Sequence, residues 1–147
     1  DLRVRAKGDT EVDAHHTIED RGIALGQAID KALGKREGIR RFGSFKAPMD
    51  EALAEAVIDL SGRPYLAYKV KIPSKKVKTG KFDIELLEEF FRALSTHARM
   101  NLHIKLAYGS NLHHIAEAIF KAFAKALDDA TSIDPRVKGV PSTKGRI

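Results

Sequence analysis

The 147-residue sequence predicts an α+β fold of antiparallel strands and helices in which one strand-loop-helix unit is used twice. Three observations carry this. A basic alternating stretch ending in glycine, a loop and a His-His-x-x-Glu helix start occur twice, as LRVRAKG…HHTIE and LHIKLAYG…HHIAE. Long segments repeat apolar residues with a 3.6-residue period, the mark of an amphipathic helix. The stretches between them are rich in β-formers and bounded by Gly, Pro or Ser.

Taken in order, LRVRAKG (2–8) alternates apolar and basic residues before its glycine and reads as a half-buried strand. From Asp13 the period changes. Ile18, Ile23, Ala24, Leu25, Ala28, Ile29, Ala32 and Leu33 share one side of a helical wheel, and Gly34 stops the helix. Asp9 or Asp13 is the expected cap. Gly22 and Gly26 each cost about 1 kcal/mol relative to alanine, so they predict close packing of this helix on a sheet. IRRFGSF (39–45), AEAVIDL (54–60) and PYLAYKVKI (64–72) are expected antiparallel strands, followed by a charged loop over 72–82. Asp83 then caps a helix with Leu86, Leu87, Phe90, Phe91 and Leu94 on its apolar face. NLHIKLAYG (101–109) is a strand, and 113–131 is a helix with Ile115, Ile119, Phe120, Phe123 and Leu127 on one side. The tail is polar and rich in Pro and Gly, hence a loop or extended arm. The helices of the two units also match at Ala24 with Ala122, Ala28 with Ala126 and Asp30 with Asp128, so duplication is the economical reading. Residues 1–38 are then the remainder of a first repeat, 39–131 a second repeat, and 132–147 a C-terminal tail.

Composition narrows the function. With 43% hydrophobic and 31% charged residues the chain is too apolar for disorder, and no apolar run approaches the ~20 residues of a membrane span. No signal peptide is evident, and the absence of cysteine removes disulfides and thiolate metal sites, so a cytoplasmic setting is expected. The net charge of +6 raises nucleic acid as a partner. The basic residues are scattered, however, with Arg36, Arg40 and Arg41 in one place and lysines elsewhere. They lack interleaved aromatics or a recognition motif, so neither nucleic acid nor membrane is expected. Small phosphorylated molecules are the other common use of Arg and Lys.

The paired motif points to metal. Histidine is a neutral ligand near pH 7, and a carboxylate adds charge to hold a divalent ion. On a helix, adjacent residues diverge by about 100°, whereas positions i and i+4 lie about 40° apart. His15 and Glu19 can share one ion while His16 points elsewhere, and the same holds for His113, Glu117 and His114. Two motif copies suggest two sites, each assembled from more than one copy. A nitrogen and oxygen ligand set without sulfur allows Mn, Zn, Fe or Co, and the carboxylate content tilts toward Mn. His103 reads as a packed strand histidine, His97 as a C-terminal helix group, and Glu89 as part of a solvated helix face. Arg41 and Arg63 stand beside turns from which a guanidinium can project to a phosphate.

The words GDTEVDAHHTIEDRGIALG, RRFGS, APMDEAL, DLSGRPYL, NLHI, GSNLHHIAEAIFKAFAKAL and PSTKG span nearly the whole chain. In that order they resemble the imidazoleglycerol-phosphate dehydratase family of histidine biosynthesis. The resemblance implies a ribosomal-protein-S5-domain-2-like duplicated fold and a twenty-four-subunit homo-oligomeric shell. It also implies two Mn²⁺ per active site, at subunit interfaces. His15, His16, Glu19, His113, His114 and Glu117 match the metal-ligand motif, with Glu19 and Glu117 the expected catalytic carboxylates, serving mainly as ligands. Glu89 matches a ligand position that is often histidine. Arg41, Arg63, Lys121, Ser142, Thr143 and Lys144 match the substrate-binding positions. The implied reaction removes water from imidazole glycerol phosphate to give imidazole acetol phosphate. The family's chain normally starts earlier, with an Asp-His-Met motif and an acidic residue near the substrate. A further ligand histidine and an acid/base carboxylate are therefore expected upstream of Asp1. The alternative is a catalytically impaired, metal-assembled oligomer module.

Overall fold

The computed structural model describes residues 3–5, 14–72, 78–79, 82–145 and 147. Its elements are α1 (Ala14–Leu33), β1 (Phe42–Met49), β2 (Ala52–Asp59), β3 (Tyr65–Lys69), β4 (Lys78–Thr79), β5 (Phe82–Asp83), α2 (Leu86–His97), β6 (Asn101–Tyr108) and α3 (Leu112–Thr131). The fold is α+β, as expected: a four-stranded sheet in the order β1-β2-β6-β3, with helices against one face. Among the described residues no helix is long and apolar enough to cross a membrane.

Alternation decides which face is buried. Ala52, Ala54, Ala56 and Ile58 of β2 and Leu102 and Ile104 of β6 point inward, where Ile115, Ile119 and Phe123 of α3 and Leu87, Phe91 and Leu94 of α2 meet them. The rings of Phe91 and Phe123 lie 5.3 Å apart and tie the two helices together. Alanines and Gly43 let α3 sit directly on β1. A β-carbon at Gly43 would fall 2.0 Å from the Ala126 carbonyl oxygen, so no side chain fits there. Among the described residues the other sheet face carries Phe42, Val57 and Tyr65 in exposed positions.

Several expectations need correction. The first strand, 2–8, lies largely outside the described residues, as do Asp9 and Asp13, and residues 3–5 are not in a strand. Gly22 and Gly26 pack against a helix, not a sheet. Their missing β-carbons would fall 2.6 Å from the Phe90 carbonyl oxygen of α2 and 2.7 Å from that of Leu94. The strand expected at 39–45 is shifted to Phe42–Met49. Arg41 takes a positive φ of 71° that breaks the extended run, while Ile39 bridges Ile133 instead. Pro48 does not end the strand because β1 is an edge, where a missing N–H is tolerated.

β3 runs parallel to β6, with Leu66 opposite Leu102, not antiparallel. The chain between them forms α2, and such a crossover returns a strand in the same direction. The 72–82 loop contains one side of a two-residue ladder, β4 with β5, and residues 73–77 and 80–81 lie outside the described part. Asp83 does not cap α2; three residues before the helix starts, it accepts the Glu85 N–H at 3.0 Å. His103 is exposed on the outer sheet face with its ring 5.9 Å from that of Tyr65, because its strand position faces away from the helices. The tail turns back along 38–41: Arg40 N–H donates to Ser132 O, Asp134 N–H to Gly38 O and Gly38 N–H to Gly139 O, each at 2.9 Å.

Candidate active site

Helix α3 begins at its histidines because Asn111 caps it. The Asn111 side chain accepts the N–H groups of His113 at 2.9 Å and His114 at 3.3 Å, satisfying donors that a helix start leaves open. One turn apart, His113 Nε2 and Glu117 Oε2 are 3.1 Å from each other. His114 diverges, as the 100° step requires, and faces the turn between β1 and β2. There its Nδ1 lies 2.6 Å from Glu51 Oε2. The other Glu51 oxygen accepts the Ser110 N–H at 3.0 Å, the Ser110 hydroxyl at 3.2 Å and the Asn111 N–H at 2.7 Å.

This carboxylate sets the state of the imidazole. An ionised Glu51 can only accept, so the His114 proton sits on Nδ1 and Nε2 is the nitrogen open to another partner. Asp50 Oδ2 lies 3.5 Å from that Nε2. The hydrogen bond from His114, followed by those from the Asn111 and Ser110 amides, holds Glu51 well below the usual carboxylate range. The same bond raises the His114 pKa against a smaller opposing effect of desolvation. Glu117 is also held ionised, first by its hydrogen bond from Lys121, whose Nζ is 2.8 Å from Oε1.

At the first motif copy, on α1, His15 Nε2 lies 4.0 Å from Glu19 Oε2. The rings of His15 and His16 diverge at 86°, as those of His113 and His114 do at 69°. Among the described residues no three His, Cys, Asp or Glu side chains gather closely enough to hold a metal. The two motif copies therefore do not form one cluster in this chain. Glu89 joins neither; with Tyr68, Ile84, Glu85 and Glu88 it lines a groove between α2 and β3. Burial there pushes the Tyr68 hydroxyl up.

The basic candidates also divide. Arg41, Arg63, Ser142, Thr143 and Lys144, with Ser61 and Ile147, line a cavity of about 190 Å³ at the start of β1. Arg41 is oriented by Asp59, which takes its Nε at 2.7 Å and its Nη2 at 3.1 Å, and Arg41 Nη1 donates to Pro141 O at 2.9 Å. A bidentate carboxylate fixes the guanidinium plane, and the Pro141 bond draws the Ser142–Lys144 turn beside it. Lys121 lies elsewhere: its Nζ is 3.3 Å from Met49 Sδ, at the far end of β1.

Sequence reasoning did not single out Glu51, Asp50, Asp59 or Asn111. Asn111 carried a legible signal, a cap residue directly before a helix. Glu51 sits in a two-residue hairpin turn, where an acidic residue is ordinary, and its partners are some sixty positions away.

A sequence model described as Imidazoleglycerol-phosphate dehydratase matches residues 1–127. Relatives of that name from Shouchella clausii and Geobacter metallireducens are 61% and 55% identical over 145 and 146 residues. The matches cover 99% of this chain and 73% and 74% of theirs. The crystal structure of imidazoleglycerol-phosphate dehydratase from Staphylococcus aureus superimposes with a TM-score of 0.80 at 45% identity, covering 88% of this chain and 72% of that one. The Pyrococcus furiosus enzyme in complex with (S)-C348 gives 0.78 at 42% identity, covering 90% and 71%. With its sequence matched over nearly its whole length and its fold over most of it, the chain belongs to the imidazoleglycerol-phosphate dehydratase family, hydro-lyases of histidine biosynthesis.

Proposed function

We propose that the chain performs Mn²⁺-dependent dehydration of imidazole glycerol phosphate to imidazole acetol phosphate in the cytosol, at sites shared between copies in a homo-oligomer. The separation of the two candidate half-sites carries this reading. The histidine end, with Glu51, Glu117 and Lys121, and the arginine cavity lie at opposite ends of β1, Met49 marking one and Arg41 the other. Eight residues of strand span about 23 Å at about 3.3 Å per residue. An imidazole ring, three carbons and a phosphate are shorter than that, so one chain cannot engage both ends of a substrate. A second copy supplies the missing end, and a twenty-four-subunit shell is the arrangement proposed.

The residues fit a divalent ion. His114 presents Nε2 with its tautomer held by Glu51, and His113 and Glu117 form an i, i+4 pair of nitrogen and oxygen donors. The family positions His15, His16, Glu19 and Glu89 complete two ions per site from other copies. When bound, manganese supplies positive charge that acidifies the imidazole ring and eases loss of the hydroxyl. The protein's own groups do the rest. Glu117, kept ionised by Lys121, is a ligand and a fixed negative charge, and a poor proton carrier for that reason. Glu19 has the matching role in the first copy. Arg41, Arg63, Lys144 and the Ser142 and Thr143 hydroxyls receive the phosphate. Lys121, at the metal end of its own chain, meets a phosphate lodged in a neighbouring copy's cavity.

The test is complementation. Arg63→Ala and His114→Ala are each expected to be inactive in Mn²⁺, and mixed oligomers of the two regain activity because some sites receive both intact halves. Absence of recovery in verified mixed oligomers would overturn the shared site. Metal binding without turnover in the unmodified chain would instead support the assembly-module reading.

A further inference from the structure

Arg36 is a buried cation, 3% exposed, although the sequence places it among surface-type basic residues. Its backbone has a φ of 57°, a left-handed conformation that costs a non-glycine residue roughly 1–2 kcal/mol. The surrounding contacts hold it there. Nη1 donates to Leu60 O at 3.0 Å and Arg99 O at 3.1 Å; Nη2 donates to Ala98 O at 2.8 Å and Asp30 Oδ1 at 2.6 Å. One guanidinium thus joins the end of α1, the end of β2 and the turn between α2 and β6.

The place it holds matters. Leu60 is gripped on both sides: its carbonyl by Arg36, and its N–H by the Arg41 carbonyl at 3.0 Å. The residue before it, Asp59, orients the Arg41 guanidinium, and Ser61 and Arg63 just after it line the arginine cavity. Arg99, whose carbonyl Arg36 also holds, reaches toward Gly62: a β-carbon there would lie 3.5 Å from Arg99 Nη2. Leu60 is therefore the point from which the segments bearing Arg41 and Arg63 diverge. Two guanidiniums engage one phosphate only if both are placed at hydrogen-bond distance together, so an error in their spacing weakens binding of the whole group.

We infer that Arg36 is a positioning residue of the phosphate cavity, setting the spacing of Arg41 and Arg63 through Leu60 without touching the ligand. The inference rests on reading that cavity as the phosphate site. A lysine does not replace this residue: its single ammonium lacks the planar fork that reaches three carbonyls and a carboxylate at once.

The test measures inorganic phosphate binding by calorimetry on the Mn²⁺-loaded full chain, beside steady-state kinetics and Mn²⁺ affinity. Arg36→Lys and Arg36→Met are expected to weaken phosphate binding roughly tenfold, about the value of one hydrogen bond to a charged group. KM is expected to rise by a similar factor with kcat and Mn²⁺ affinity nearly unchanged, the pattern of lost uniform binding. Asp30→Asn takes the charge from one of the four anchors, at a partly exposed partner, and is expected to weaken phosphate binding about threefold. Arg63→Ala tests the cavity itself: unchanged phosphate affinity in it refutes the phosphate-site reading. If Arg63→Ala loses phosphate while folded Arg36 variants bind as the unmodified chain does, the positioning role is wrong. Should neither Arg36 variant fold, Asp30→Asn decides, and unmodified phosphate affinity in it overturns the inference.

Discussion

The two His-His-x-x-Glu copies share a sequence pattern but not a setting. On α3 the pair is built in: Asn111 caps the helix, Glu51 holds His114 by Nδ1, and Glu117 lies 3.1 Å from His113 with Lys121 on its other oxygen. On α1 the corresponding His15 and Glu19 stand 4.0 Å apart. Neighbours supply the difference. α3 starts beside the β1–β2 turn, whose Glu51 comes from a distant part of the chain, while α1 packs chiefly on α2 through Gly22 and Gly26. A motif specifies donors; the fold decides how firmly they are aimed.

Substitutions can break that comparison. The largest effect is expected for His15→Ala and His16→Ala, each abolishing Mn²⁺-dependent turnover. Metal analysis should show loss of one ion class in each case, and spectroscopy should show that the two classes differ. If both changes empty the same ion, the divergent geometry of adjacent histidines is refuted. Next comes Glu51→Gln, which keeps the shape but frees the His114 tautomer. An outer partner of a metal-bound histidine is worth about 10–100-fold in metal affinity or activity. A loss in that range, read by Mn²⁺ titration, should appear for Glu51→Gln but not for a change at an exposed carboxylate at the far end of α3 such as Asp128→Asn.

The charge state sharpens the same contrast. In metal-free protein, the bond that raises the His114 pKa contributes stability that is complete below the ordinary imidazole value of about 6.5 and lost as pH rises through the raised one. The depressed Glu51 contributes the reverse: its stabilisation is present above the ordinary carboxylate range and lost as pH falls through the lowered value. The Tm gap between the unmodified chain and Glu51→Gln should therefore be widest between those two limits and narrow on either side. A pH-independent gap would mean that the pair does not titrate together. The smallest effect belongs to the α1 support: Gly26→Val places a side chain against the Leu94 carbonyl and is expected to cost about 1–3 kcal/mol. Chemical denaturation measures it, and the α3 copy's metal affinity should stay the same.

Much of this was legible in advance for physical reasons. Periodicity marks helices because burial on one face is local in sequence, so α1, α2 and α3 were readable to within a few residues. Strand bounds and partners were less so. Pro48 and Arg41 shifted β1, and only the intervening α2 made β3 parallel to β6. Repetition exposed the His-His-x-x-Glu pairs, and turn position exposed Arg41 and Arg63. Glu51 and Asp59 act through partners 18 to 63 positions away, and three of the four Arg36 bonds reach residues at least 24 positions away, which no window along the chain displays.

By itself, the sequence determined the repeated His-His-x-x-Glu pattern, its helical spacing and the family, because each is written in residue identity and local period. Only the tertiary structure decided which His114 nitrogen is held by Glu51, that Lys121 stands apart from the arginine cavity, and that a surface-looking Arg36 is buried behind it. Those facts depend on distances between remote segments, and such distances are set by packing.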